Sequence, residues 1–263
     1  MREILIEIGP LKIPSFGVLV MIGFLVGLKV ALSRAKRFGL EKEKVLDLSM
    51  WALAAGILGA RLGYIIQEIP YYSKHPNELL EWQFKGMTSF GGLVLGFVPV
   101  IYFSKKWKVS ILTILDCLAP GVLIGHIFGR IGCLLNGCCY GGVCELPWGI
   151  HVKEAGIWST QLHHPAQIYD SLMNLVGLLI LLQLEKTRQF RPGQAIGSAF
   201  FIYGMARFFY EFWRAGTTST TMGGTSFTEG HVAALIVAAA GAILILRKSK
   251  QATPAPEVAV DPS

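Results

Sequence analysis

The stretch Val109–Gly142, VSILTILDCLAPGVLIGHIFGRIGCLLNGCCYGG, decides how the rest of the chain is read. Its first part, Val109 to Phe128, is an apolar run with a single charge, Asp116. A helix of about 20 apolar residues is as long as a bilayer's hydrocarbon core is thick. After Phe128 the composition turns abruptly to glycine and cysteine, with Arg130 at the turn. The run therefore reads as a transmembrane helix, and the residues after it as a glycine-rich bend at a membrane face. Gly137, Gly141 and Gly142 leave room for backbone N–H groups to approach an anion closely. Arg130 adds a planar fork of donors that matches a phosphate. The simplest ligand for such a bend is a lipid head group.

The same length signal recurs along the chain. Apolar runs lie at about Ile13–Leu32, Leu46–Ile66, Met87–Phe103, Val109–Phe128, Ile168–Leu184, Gln194–Trp213 and His231–Leu246. Only 16% of the 263 residues are charged and 52% are hydrophobic, whereas soluble domains carry about 25% charge. A soluble protein is excluded. The expected fold is all-α: a polytopic membrane protein with about seven transmembrane helices. The third run is short and glycine-rich, which suits a tilted or partly broken segment. One helical domain is expected over 1–250, with an outer loop at about 129–167. Residues 251–263, rich in Pro, Ala and acidic groups, are expected to be a disordered cytoplasmic tail. Met1–Lys12 holds two basic and two acidic residues rather than a basic n-region, so no cleavable signal peptide is expected. No sustained internal repeat is visible.

Lysine and arginine placement sets the expected orientation. Fourteen of the 24 basic residues fall after runs one, three, five and seven, including Arg34–Lys44, Lys105–Lys108, Lys186–Arg191 and Arg247–Lys250. Seven fall on the other side. The positive-inside rule then puts the N-terminus outside and the C-terminus in the cytoplasm. The net charge of +7 is a topology signal, and no aromatic-interleaved basic patch points to nucleic acid.

Charges inside the runs cost about 2.5–3.5 kcal/mol each on insertion scales, so they mark functional or structural necessity. They are Asp47, Arg61, Asp116, Asp170, Arg207 and Glu211; Lys29 is placed to snorkel. Tyr203, Arg207, Glu211 and Arg214 share one face of a helix by their spacing. That face is either a self-neutralising Arg207–Glu211 pair packed on a neighbour or a ligand-facing stripe. Arg214 leaves a surplus positive charge, which favours the stripe. Arg61, in GARLGY, is suited equally to a lipid phosphate and to a buried carboxylate. The C-x4-C-C-x4-C spacing of Cys133, Cys138, Cys139 and Cys144 is not a zinc-ribbon pattern. Packed thiols, one loop disulfide and a metal site all stay open there, and Cys117 reads as a packed span residue. His164-Pro165-Ala166-Gln167 starts the fifth run, with Pro165 suited to a helix start and Gln167 able to hydrogen-bond at head-group level.

Taken together, GARLGY (59–64), Gly91-Gly92-Leu93, Gly129-Arg130-Ile131-Gly132 through Asn136-Gly137 and Tyr140-Gly141, His164-Pro165-Ala166-Gln167-Ile168-Tyr169, and Tyr203-Gly204 with Arg207 and Glu211-Phe212-Trp213-Arg214 resemble the bacterial prolipoprotein diacylglyceryl transferase family. The five motifs occur in the family's order. The resemblance implies an enzyme of the bacterial cytoplasmic (inner) membrane with its active site toward the outer face. It would transfer the diacylglyceryl group of phosphatidylglycerol to the lipobox cysteine thiol in a prolipoprotein signal peptide, and release glycerol phosphate. No metal or organic cofactor is implied. Arg130 and Arg207 would clamp the phosphate, Glu211 would orient Arg207, and Tyr203 would supply a hydrogen bond. Arg61, Gly91, Gly92, Asn136, Gly141, His164, Gln167 and Arg214 would bind substrate. The chain departs from the family pattern at Phe90, where a histidine is expected, at Phe16 for a tyrosine, and at Cys133 and Cys138 for polar residues. His126, His164 or Glu211 is then left as base, unless arginines lower the thiol's own pKa from about 8.5. The alternative is a catalytically weak paralogue, or a non-enzymatic lipid-binding or transport protein. Absence of an inverted repeat and the outward clustering of arginines weigh against a transporter.

Overall fold

The structure, a computed structural model, describes residues 4–8, 11–77, 86–154, 157–214 and 227–247. The tail expected to be disordered, 251–263, lies outside the described residues. A short hairpin, β1 (Ile4–Ile8) and β2 (Leu11–Pro14), leads into α1 (Ser15–Arg34). A 3-10 turn follows at Ala35–Phe38, then α2 (Lys42–Gln67), the single turn α3 (Ile69–Tyr72), and α4 (Ser89–Trp107). The chain continues with α5 (Ile111–Asn136), a small hairpin of β3 (Lys153–Glu154) and β4 (Ile157–Trp158), then α6 (Ala166–Thr187), α7 (Gln194–Glu211) and α8 (Glu229–Leu246).

Each of the seven apolar runs corresponds to one long helix. Among the described residues, five segments are long and apolar enough to cross a membrane: Ser15–Phe38, Lys42–Gln67, Ile111–Asn136, Ala166–Thr187 and Glu229–Leu246. Their surfaces are inverted relative to a soluble protein. Leu58 is 63% exposed and Leu246 78%, while Asp170, Asn174 and Gln167 are completely buried. Apolar side chains outside and polar ones inside are what a lipid solvent selects.

The chain divides into two compact units. Met1–Ala31 and Leu115–Ser263 form the first, and Leu32–Ile114 the second. Small residues let helix backbones approach within each unit. In the second, Gly59 and Gly63 of α2 pack on Gly91 of α4, and a Cβ on Gly91 would collide with the Gly59 carbonyl oxygen. Gly92 stands against Gly56 in the same way. The backbone N–H of Thr88 adds a 3.0 Å bond to the Ala60 carbonyl. Gly91 and Gly92 thus form the α2–α4 seam. Arg61 is buried in this unit with its guanidinium 5.6 Å from the Tyr72 ring centroid.

In the first unit, Gly27 of α1 meets Gly121 of α5, where a Cβ would stand 3.0 Å from the carbonyl oxygen opposite. Gly204 and Gly197 of α7 admit α8 at Ala234–Ala238 and Gly241. Asp116, a charge inside a span, is fully accounted for by structure. Its carboxylate accepts the backbone N–H groups of Gly193 and Ile196, at the start of α7. A carboxylate at a helix N-terminus satisfies orphan donors and the helix dipole together.

One boundary that differs from the sequence reading bears on the site. Helix α5 does not end at Phe128 but runs through Arg130 to Asn136. Gly129 and Gly132 are helical, and the left-handed turn begins only at Gly137, with φ 74°. The arginine does not end the helix because its charge is neutralised locally.

The seam makes a direct prediction. Gly91→Leu forces α2 and α4 apart, at a cost of about 1–3 kcal/mol or more. It should lower the thermal midpoint of the detergent-solubilised protein and its monodisperse yield. Gly129→Ala, where an added Cβ meets nothing within 4 Å, should leave both unchanged or slightly improved.

Candidate functional site

The site is built on the inner faces of α5, α6 and α7, all in the first unit. Its hub is Asp170, fully buried on the second turn of α6. One of its oxygens pairs with the Arg130 Nε at 2.6 Å and with the His126 Nε2 at 3.2 Å. The other accepts the Asn174 Nδ2 at 2.7 Å, one turn further along α6. Nothing but such partners would keep a carboxylate ionised at this depth. The pair engages Arg130 through Nε. His126 also packs edge-on against Tyr203, with ring centroids 4.9 Å apart.

Helix α7 supplies the second cluster. Arg207 pairs with Glu211 at 2.8 Å, and Arg214 lies 3.6 Å from the same Glu211 oxygen. The other Glu211 oxygen accepts the Thr228 hydroxyl at 3.2 Å. Between the clusters stands Tyr210. Its ring has the Arg130 guanidinium carbon 4.7 Å from its centroid and the Arg207 carbon at the same distance. The ring is fully buried, and its hydroxyl donates to the Cys139 carbonyl at 3.0 Å. Two guanidinium groups that would otherwise repel are therefore held by one aromatic ring, each with its own carboxylate.

The loop after α5 closes the site. Gly137 at φ 74° and Cys139 at φ 64° turn it sharply, and the left-handed backbone at a cysteine costs of order 1–3 kcal/mol. Packing holds the turn in place: the Gln167 Nε2 donates to the Cys138 carbonyl at 2.6 Å, and Tyr210 holds the next carbonyl. The backbone N–H groups of Gly141 and Gly142 are taken up by the carbonyls of His164 and Trp213, both at 2.8 Å. The expected glycine nest for an anion is thus corrected. These glycines bring the loop against the backbone ahead of α6 and after α7, and a Cβ on Gly141 would collide with the Trp213 carbonyl oxygen. The anion-binding groups that remain are side chains.

Five thiols are present, none in a disulfide. The Sγ atoms of Cys133, Cys138 and Cys139 lie within 4.8 Å of one another. Hydrogen bonds from the Cys133 and Cys138 thiols, reinforced by the Arg130 and Arg214 charges, pull the Cys139 thiol well below its ordinary pKa. The Cys138 thiol is pushed up, with its neighbour Cys139 and burial outweighing its bond to Cys133.

The sequence-predicted residues separate as follows. Arg130, Arg207, Glu211, Tyr203, Arg214 and Gln167 gather around Tyr210 and Asp170. Asn136 ends α5, two residues before Cys138. The His164 ring meets the Tyr169 hydroxyl at 3.4 Å, and Tyr169 also accepts the Trp148 Nε1 at 2.8 Å. Arg61, Gly91 and Gly92 belong to the second unit. Of the site's residues, the sequence marked Asp170 only as a charge inside an apolar run and did not single out Tyr210. Tyr210 sits three residues after Arg207, on the face that the stripe already defined.

Comparison with known proteins adds the following. The family profile described as "Prolipoprotein diacylglyceryl transferase" matches residues 3–247. A phosphatidylglycerol–prolipoprotein diacylglyceryl transferase of Finegoldia magna is 31% identical over 251 residues, covering 95% of this chain and 97% of that protein. The protein of the same name from Bacillus cereus is 30% identical over 256 residues, covering 95% and 94%. The one from Lactobacillus acidophilus is 31% identical over 212 residues, covering 78% and 76%.

The buried pair can be tested alone. Asp170→Ala leaves Arg130 charged without its counter-ion and should cost about 3–5 kcal/mol. In thermal melts the combined Asp170→Leu, Arg130→Met protein should be more stable than Asp170→Ala. A single variant that melts like the parent would show that the pair carries no structural weight.

Proposed function

The chain belongs to the prolipoprotein diacylglyceryl transferase family, and on that premise we propose that it transfers the diacylglyceryl group of phosphatidylglycerol to the lipobox cysteine thiol of a prolipoprotein. A sulfur–carbon bond forms at the glyceryl carbon that bears the phosphate, the carbon–oxygen bond breaks, and glycerol phosphate leaves. One observation supports this reading most: Arg130 and Arg207 flank a single buried ring, each 4.7 Å from its centroid. Three arginines meet two carboxylates there, which leaves one positive charge in excess. A phosphodiester carries one negative charge, so the excess matches it.

Arg130 and Arg207 take the phosphate oxygens and stabilise the second charge that develops as glycerol phosphate leaves. Asp170 and Glu211 are positioning residues that hold the two forks in place. Tyr203 reaches the site beside His126, and Arg214 adds positive charge where the head group enters. The buried Oε1 of Gln167 has no protein partner among the described residues, and it offers an acceptor to a glycerol hydroxyl. Asn136, Gly141 and His164 shape the loop over the lipid; for Arg61, Gly91 and Gly92 a substrate-binding role is supported by the family's motifs alone.

The chain crosses the inner membrane about seven times, with the N-terminus outside, the C-terminus in the cytoplasm and the site toward the outer face. The distribution of lysine and arginine supports this orientation. So does the chemistry, because an exported cysteine is accessible on that side.

The protein in native-lipid nanodiscs should lipidate a lipobox peptide when phosphatidylglycerol is present. Arg130→Ala and Arg207→Ala should each lower kcat/KM by about 10²–10³-fold, the usual size for loss of a charge-stabilising donor. Mass spectrometry of the peptide checks both. No product from the parent protein with phosphatidylglycerol, together with failure to support growth of a transferase-depleted bacterium, would favour a non-enzymatic lipid-binding role instead.

A further inference from the structure

We propose that Cys133, Cys138 and Cys139 hold one zinc ion, whose open fourth position takes the thiol of the incoming substrate cysteine. The fourth ligand rests on the transferase reading; the three-thiolate site does not.

The geometry carries the metal. Zinc–sulfur bonds of about 2.3 Å at tetrahedral angles put neighbouring sulfurs about 3.8 Å apart. The Cys138 and Cys139 sulfurs are 3.7 Å apart, and all three lie within 4.8 Å of one another. Adjacent cysteines seldom point the same way. Here they do because Gly137 and Cys139 both adopt left-handed backbone. That turn is pinned from beneath by buried groups: Gln167 holds the Cys138 carbonyl and Tyr210 the Cys139 carbonyl. Cys133 comes from the last full turn of α5, and the Cys138 N–H ties back to its carbonyl at 3.1 Å. The site is therefore preorganised from a helix and a clamped turn. Three thiolates around Zn²⁺ leave one net negative charge. Arg130 and Arg214 are both close enough to act on Cys139.

The ligand count carries the function. Structural zinc sites close with four protein ligands, whereas catalytic ones present three and leave a position open. The fourth cysteine of the motif, Cys144, is not part of the group and packs near Gly149. Both carboxylates of the site are committed to arginines, so neither is free to take a thiol proton. Coordination removes that requirement, because a zinc-bound thiol is deprotonated outright. The displaced proton goes to water. The bound sulfur then attacks the glyceryl carbon, and the electron pair of the breaking carbon–oxygen bond leaves on glycerol phosphate. Arg130 stands beside both the thiols and the phosphate clamp, which brings the two halves of the reaction together.

The test uses the full chain, purified reduced in detergent. Added zinc should remain at about one per chain after gel filtration, by elemental analysis. Cys133→Ser, Cys138→Ser and Cys139→Ser should each retain at least tenfold less, while Cys117→Ser and Cys144→Ser retain it. X-ray absorption of the parent protein should count sulfur neighbours at about 2.3 Å, and this reading does not depend on any variant folding. With Co²⁺ in place of zinc, a lipobox peptide should shift the thiolate-to-cobalt absorption, and its cysteine-to-serine version should not. No retained zinc, retention undiminished in the three serine variants, a shell without sulfur, or an unresponsive cobalt spectrum each overturns the proposal. Undiminished lipidation by zinc-stripped protein would overturn it too, and would leave the transferase reading standing. A zinc-loaded protein that lipidates nothing in native lipid would instead count against that reading.

Discussion

The buried pair of Arg130 and Asp170 is the constraint on which the site depends. An arginine near the end of a membrane helix would ordinarily end that helix or be pulled to the surface. Paired at 2.6 Å with a fully buried carboxylate, it stays helical, and α5 continues to Asn136. That extension carries Cys133 and sets the start of the 137–142 turn. The same carboxylate binds His126 and Asn174, so three helical turns on α5 and α6 are locked by one group. A buried pair is weak support for stability in itself, since desolvation offsets most of its attraction. Its value here is positional: it fixes one guanidinium beside Tyr210, and Glu211 does the same for Arg207 on the next helix.

The lipid environment explains the remaining architecture. Hydrophobic burial drives helix association little when the solvent is itself apolar, so packing falls to small residues and buried hydrogen bonds. Gly59 with Gly91, Gly27 with Gly121, and Gly197 with Gly241 are the contacts of this kind. Asp116 does for the start of α7 what water would do in a soluble protein. At the site three arginines meet two carboxylates, and what is left over is one unit of positive charge beside the cysteine turn.

Much of this was legible in the residues alone. The helix positions followed from apolar run length, because a bilayer imposes one length on every crossing. The Arg207–Glu211–Arg214 stripe followed from helical spacing, which needs no knowledge of other helices. What could not be read were contacts between segments far apart in sequence. Asp170 is 40 residues from Arg130, and its charge alone did not say which cation it meets. Tyr210 looks like one more aromatic in an apolar helix until two arginines are found on it. Glycine was the least informative residue. It serves equally for a ligand nest and for backbone contact, and at Gly141 and Gly142 it was the second. The cysteines were as open: their spacing left packed thiols, a disulfide and a metal site possible, and only the left-handed turn at Cys139 brings three of them together.

Arg130 and Arg207, held by Tyr210 and their two carboxylates, are proposed as the phosphate site. The most direct measurement is an experimental structure of the protein in nanodiscs containing phosphatidylglycerol. A head-group phosphate is expected within hydrogen-bonding distance of both guanidinium groups, with the glyceryl carbon facing the cysteine turn. A phosphatidylglycerol phosphate bound elsewhere, with Arg130 and Arg207 contacting only their carboxylates and Tyr210, would contradict it.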